Sequence, residues 1–233
     1  MRPTDPHTAA LLRTVRAGET SSVDRMIAGL VADLRPVRRH AVLQRLALGS
    51  AAGAGASILL VDLALGYRPD MAAATLTAMF WIKFAYVLAL AALALWTVER
   101  MARPGVSVAS RAPWLLAPVA ALTILAIWQL AGAQPGDRRP MLMGVSAAVC
   151  PWRIVAFAAP PLAGLLWAIR GLAPTRLVRA GAMAGLAAGG LGAGAYALSC
   201  QESTGPFVAV WYSLGVLAVG GLGAALGPKV LRW

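Results

Sequence analysis

Acidic residues are scarce in this chain. Nine Asp and Glu stand against 21 Lys and Arg among 233 residues, and charged side chains make up only 13%. A soluble domain carries about 25%, so this composition excludes a soluble enzyme and a disordered regulator. Cysteine is nearly absent: Cys150 and Cys200 are too few for a disulfide scaffold or a four-cysteine metal site. Histidine occurs only at His7 and His40, ahead of every apolar run. With no HExxH, Walker or GxSxG motif either, nothing points to catalysis or a bound cofactor, and the chain reads as a non-enzyme. A cleavable signal peptide is not expected either. The first apolar run starts near Leu46, behind a polar stretch, and is expected to act as its own insertion signal.

What is abundant points to lipid. Hydrophobic residues reach 59%, mean hydropathy is +0.70, and there are 24 glycines and eight tryptophans. That combination fits close-packed membrane helices with aromatic anchors at the interfaces. Runs of about 20 apolar residues fall at 46–65, 71–98, 112–133, 154–169, 180–198 and 207–226. The expected fold is all-α: a polytopic six-helix transmembrane domain over 46–233, behind a short helical segment over 1–45. The fourth run carries Pro160-Pro161, which predicts a kink and an N-terminal extension through Trp152. Turns are expected at Gly66-Tyr67-Arg68-Pro69-Asp70 and Gln134-Pro135-Gly136-Asp137.

The net charge of +12 would suit a nucleic-acid binder if the bases lined one stripe. Instead they flank the runs and report topology. Sixteen bases fall on the side that holds the N-terminal segment and the tail. Arg68, Arg138, Arg139 and Arg153 fall on the other, and Lys83 lies inside the second run. Both termini are therefore expected in the cytoplasm, with Cys150 and Cys200 together on the opposite face. No direct nucleic-acid contact is expected.

Within 1–45 the sequence predicts two helices. One opens at Thr4-Asp5-Pro6 and ends before Gly18; the other is capped by Ser21 or Ser22 and runs to about Leu34, before Arg35-Pro36. In the second, Val23, Ile27, Leu30, Val31 and Leu34 form one apolar stripe. A helix this short cannot bury such a face alone. It either lies on the inner membrane surface or meets a protein.

The two cysteines, taken alone, could each be a small buried hydrophobe. Together at one face they could instead form a disulfide, or hold a soft metal ion with Glu202, Met141 or Met143 contributing. Asp62 and Lys83 are the only charges inside the runs, which makes them functional candidates by default. They would pair only if Lys83 reached outward. Glycines at 181, 185 and 189, and at 223 and 227, repeat every four residues and predict close helix packing.

The segment Asp33-Leu34-Arg35-Pro36-Val37-Arg38-Arg39, six spans, a cysteine in each of the last two outer loops, and the stretch from Cys200-Gln201-Glu202 through Phe207 to Trp211-Tyr212 form a recognisable layout. It resembles the NrsF-type membrane anti-sigma factors (negative regulators of sigma F) of Proteobacteria, from about Ser21 onward. The resemblance implies an inner-membrane protein whose N-terminal segment holds an extracytoplasmic-function (ECF) sigma factor, with Val23, Ile27, Leu30, Val31, Leu34, Arg35, Pro36 and Val37 in the binding surface. It also implies that Cys150 and Cys200 respond to heavy-metal or oxidative stress and that the sigma factor is then released. Ser199 stands where the family commonly carries a histidine, which removes a ligand from a metal-chelating version. A small transporter or metal exporter working through Asp62 and Lys83 is the competing reading.

Overall fold

The computed structural model describes residues 22–32, 41–101, 112–172 and 176–232, in two units, Met1–Arg39 and His40–Trp233. In the first, a helix (α1) covers 22–32, and Val23, Ile27, Leu30 and Val31 are all more than half exposed. Leu34, Arg35, Pro36 and Val37, and the helix expected from Thr4, lie outside the described residues.

The second unit is helical, and no strand occurs among its described residues. Its main helices are α2 (Ala41–Leu65), α3 (Ala78–Met101), α4 (Leu116–Gly132), α5 (Pro135–Met143), α6 (Cys150–Phe157), α7 (Ala159–Arg170), α8 (Leu177–Ala197) and α9 (Gly205–Val230), the last with a π-helical turn at Val208–Tyr212. Four helices among the described residues are long and apolar enough to cross a membrane. They become five if the pair α6 and α7, bent by 42°, is counted as one. The helix α8 is long enough but is not among them. Glycine and alanine replace the larger aliphatics along it, and fourteen of its 21 residues are buried against neighbouring helices.

The bend between α6 and α7 has a chemical cause. Pro161 has no N–H to give to the carbonyl four residues back, and that carbonyl belongs to Phe157. The Ser57 hydroxyl of α2 donates to it instead, at 2.7 Å. Here α2 comes so close that a Cβ on Gly53 would collide with the Pro161 backbone, and one on Gly49 would sit 2.6 Å from the Gly164 carbonyl. The expected run over 71–98 is likewise divided. A single turn at Met71–Ala74 precedes α3, and the Thr75 and Thr77 hydroxyls bond back to the Ala72 and Ala74 carbonyls.

The helix α8 is central. A Cβ on Gly181 would meet the Gly223 carbonyl, one on Gly185 the Val219 carbonyl, and one on Gly189 the Val216 backbone, all on α9. On another face, Gly190 lies against Val87 and Ala91 of α3, and Gly192 against Ala158 at the bend. The four-residue glycine repeat is thus a backbone-to-backbone seam between α8 and α9. The core divides into two clusters toward opposite ends of the bundle. One includes Leu46, Ala94, Leu165 and Ala184; the other includes Val61, Tyr86, Cys150, Tyr196, Cys200 and Tyr212.

Candidate functional site

The second cluster contains both cysteines. Cys150 opens α6 with no exposed surface, and Cys200 follows α8 with 4% exposed; both are free thiols. The chain leaves α8 through a tight turn in which the Ser199 and Cys200 amides both donate to the Tyr196 carbonyl, each at 3.0 Å. That turn leaves the carbonyls of Leu198, Cys200 and Glu202 without helical donors, and two basic residues take them, one of them partly through its backbone amide.

Lys83 is the first. It extends from α3, is fully buried, and donates through Nζ to the Cys200 carbonyl at 3.0 Å and the Glu202 carbonyl at 2.8 Å. Its ammonium also lies 5.6 Å from the centre of the Tyr212 ring, a cation–π distance. Tyr212 stacks on Tyr196, with centroids 6.1 Å apart, and Tyr196 stacks on Phe157 at 6.0 Å. The ammonium therefore rests on one end of an aromatic column, compensated by carbonyl dipoles and a π face, with no carboxylate in salt-bridge contact among the described residues. The Tyr212 hydroxyl, wholly buried, finds no nitrogen or oxygen partner among the described residues.

Arg68 is the second. Its amide donates to the Leu198 carbonyl at 3.1 Å and its Nη1 to the Cys200 carbonyl at 3.4 Å. Its Nε and Nη2 grip the two Asp70 oxygens at 2.8 and 2.7 Å. This fork holds the Asp70 carboxyl below the usual carboxylate range and raises Arg68 further. Because the Asp70 value is depressed, the grip is complete at neutral pH. It is lost only as pH falls through that lowered range.

Glu202 is engaged by backbone and hydroxyl donors. Its Oε1 accepts the Val145 amide at 2.7 Å, the Ser146 amide at 3.2 Å and the Ser146 hydroxyl at 3.3 Å, closing the turn that leads into Cys150. Nearby, the Thr204 hydroxyl donates to the Met141 carbonyl at 2.7 Å and the Trp211 indole to the Leu142 carbonyl at 2.9 Å. These are orphan carbonyls at the C-terminal end of α5. The segments carrying the two cysteines are thereby stitched together on both sides of the thiols.

Gly144 permits this stitch. Its φ is +52°, and a Cβ there would sit 2.5 Å from the Glu202 carboxylate. Replacing it with alanine combines a disfavoured backbone conformation with a clash, together about 1–3 kcal/mol. The expected result is a lower apparent melting temperature in detergent. The control Gly136→Ala, at a position with nothing within 4 Å, should leave it unchanged.

Of the residues singled out from sequence, Cys150, Cys200, Glu202 and Lys83 meet at this one end. Asp62 does not join them: its side chain is exposed, while its carbonyl accepts the Gly66 amide at 3.0 Å. Lys83, near the start of its helix, finds main-chain carbonyls instead, and no Asp62–Lys83 pair forms among the described residues. Among the described residues no three His, Cys, Asp or Glu side chains gather as metal ligands. Sequence alone does not single out Gly144 or Thr204, and it places Arg68, Trp211 and Tyr212 on this face or in this stretch without assigning them a contact. Arg68, Thr204 and Trp211 bond to backbone carbonyls, which leave no pattern in sequence.

Residues 30–233 match the family model described as negative regulator of sigma F. The chain belongs to the NrsF family. Over 213 residues it is 40% identical to the anti-sigma-F factor NrsF of Caulobacter vibrioides (strain NA1000 / CB15N), covering 90% of this chain and 99% of that protein. It is 36% identical to the probable anti-sigma-F factor NrsF of Azospira oryzae (strain ATCC BAA-33 / DSM 13638 / PS), covering 89% of this chain and 98% of the relative. No solved structure matches. The NrsF match begins within α1 and takes in every residue of the cysteine end. Family membership is regulatory in kind and brings no catalytic site with it.

Proposed function

We propose that this chain is an anti-sigma factor of the bacterial inner membrane that holds an ECF sigma factor through its N-terminal segment and releases it when Cys150 and Cys200 react. The relative named anti-sigma-F factor, 40% identical along nearly its whole length, carries the reading. The apolar stripe of α1 supports it, since Val23, Ile27, Leu30 and Val31 offer the spacing of a helix seated in a partner's groove. Leu34, Arg35, Pro36 and Val37 would extend that surface.

Six spans with both termini cytoplasmic are part of the same proposal. The helix α8 would be the span that hydropathy misses. At 21 residues it is about 31 Å long, and the helices around it shield its glycines from lipid. The distribution of bases supports a periplasmic position for the thiols. Two sensing chemistries fit there: a disulfide between the thiols, or capture of a soft metal ion. The disulfide is favoured because no three His, Cys, Asp or Glu side chains gather among the described residues and the Lys83 ammonium beside the Cys200 carbonyl opposes a metal dication. Transport through Asp62 and Lys83 has less support, because one is exposed and the other is tied to two carbonyls.

The test is co-purification of the full-length protein, in detergent, with the host's ECF sigma factors. Wild type should capture one of them. Ile27→Asp with Leu30→Asp should lose it by a factor of about 100, as desolvating two buried carboxylates demands. Cys150→Ser with Cys200→Ser should keep the sigma factor and fail to release it under oxidant or metal. Capture unaffected by the α1 changes would move the binding surface elsewhere, and capture lost with the cysteines would make the thiols structural.

A further inference from the structure

An open cleft of about 760 Å³ lies between the last turn of α4 and the short helix α5. Its floor is apolar, with Ile127, Leu130, Leu142 and Met143, and its rim carries Arg138 and Arg139. The cysteine end does not use it. Both arginines are exposed, and neither makes an ion pair or hydrogen bond among the described residues. They are two of just four bases that the sequence assigns to the base-poor side.

We propose that this cleft binds an anionic glycerophospholipid, with the phosphate between Arg138 and Arg139 and acyl chain in the trough below.

Three observations converge on that ligand. The depth is right, because the apolar helix over Pro113–Gly132 ends here and the charged residues of α5 follow within a turn. A phosphate headgroup sits at that boundary, and guanidinium groups pair with it through two parallel N–H donors. The trough is open to lipid, because α4 buries only Leu122 and Ala126 and leaves Ile127 and Trp128 exposed. The platform is also fixed: Thr204 and Trp211 hold the Met141 and Leu142 carbonyls, so the arginines ride on a pinned helix. A zwitterionic lipid brings its own ammonium to this basic rim and is disfavoured. An anionic headgroup meets two uncompensated positive charges.

This inference rests on the proposed membrane insertion and not on sigma-factor binding. The full-length protein is first scored for recovery in the membrane fraction, then purified in a neutral detergent. Native mass spectrometry follows, with phosphatidylglycerol, phosphatidylcholine or inorganic phosphate added. Wild type should retain one phosphatidylglycerol and prefer it over phosphatidylcholine by about tenfold or more. Arg138→Gln with Arg139→Gln should erase the preference. Leu130→Trp, which fills the trough and keeps both arginines, should lower retention of either lipid. Equal affinity for the two lipids, undiminished preference in the arginine variant, or displacement of the lipid by equimolar phosphate would each overturn the proposal. A chain recovered as soluble protein would overturn the membrane reading along with it.

Discussion

Gly223→Leu should prevent the helical bundle from forming in a stable state. A side chain at this position points into α8, where its first carbon alone would collide with the Gly181 carbonyl and approach the Gly185 backbone to 2.9 Å. Overpacking costs about 1–3 kcal/mol when neighbouring side chains can shift. Here the obstacles are backbone atoms in the middle of two helices, which cannot change rotamer. The seam would have to open along its length, separating Gly185 from Val219 and Gly189 from Val216 as well. The predicted readout is loss of the monodisperse peak in detergent and a sharp fall in membrane yield. Gly221 supplies the control. It is on the same helix with nothing within 4 Å, so Gly221→Leu should behave as wild type. If Gly223→Leu were equally well tolerated, the α8–α9 seam would not exist.

Lys83→Met should loosen the loop that holds Cys200. The change keeps the length and apolar stem of the side chain and deletes the ammonium. The Glu202 carbonyl then loses its charge-assisted donor, at about 1–3 kcal/mol for a buried acceptor left unmade, and the Cys200 carbonyl keeps only the longer Arg68 bond. Part of that is returned, because a buried charge no longer has to be desolvated. No carboxylate is stranded, so the net cost stays below that of breaking a buried salt bridge, at about 2 kcal/mol. In a Cys150→Ser background the remaining thiol reports the effect. Its alkylation by a small membrane-permeant maleimide should accelerate about tenfold or more, since each 1.4 kcal/mol of lost protection is a factor of ten. Lys83→Arg, which retains the charge, should lie nearer wild type. An unchanged rate in Lys83→Met would show that the loop is held without the ammonium.

The contrast between these two variants tracks what could be read from the sequence. Glycines every fourth residue announced close helix packing, because the repeat matches one helical face. Which helix would be met was hidden, since the partner contributes a carbonyl. The break at Pro160-Pro161 was legible because proline deletes a specific hydrogen bond, whereas the Ser57 hydroxyl that replaces it lies 100 residues away. Lys83 stood out as an intramembrane charge and invited a search for a carboxylate. Its partners proved to be main-chain oxygens at Cys200 and Glu202. Glu202 was read as a tentative metal ligand from its nearness to Cys200 in sequence, but its carboxylate faces the Val145 and Ser146 amides. Hydropathy also undercounts helices such as α8, where burial among neighbours takes over the role that large aliphatic side chains play against lipid.

The contact of α2 with the bent helix has a mechanical meaning. Gly49 and Gly53 bring its backbone directly onto Gly164 and Pro161, and Ser57 is bonded at the break itself. A joint made from main chain on main chain has no compliant filling to absorb displacement. Ala158 is therefore a fulcrum: one arm of the lever begins at Cys150, and the bearing it turns against is α2. A rotation of the Cys150 arm about Ala158 would have to strain or break the Ser57–Phe157 hydrogen bond, while α7 stays locked to α2 at Gly49 and Gly53.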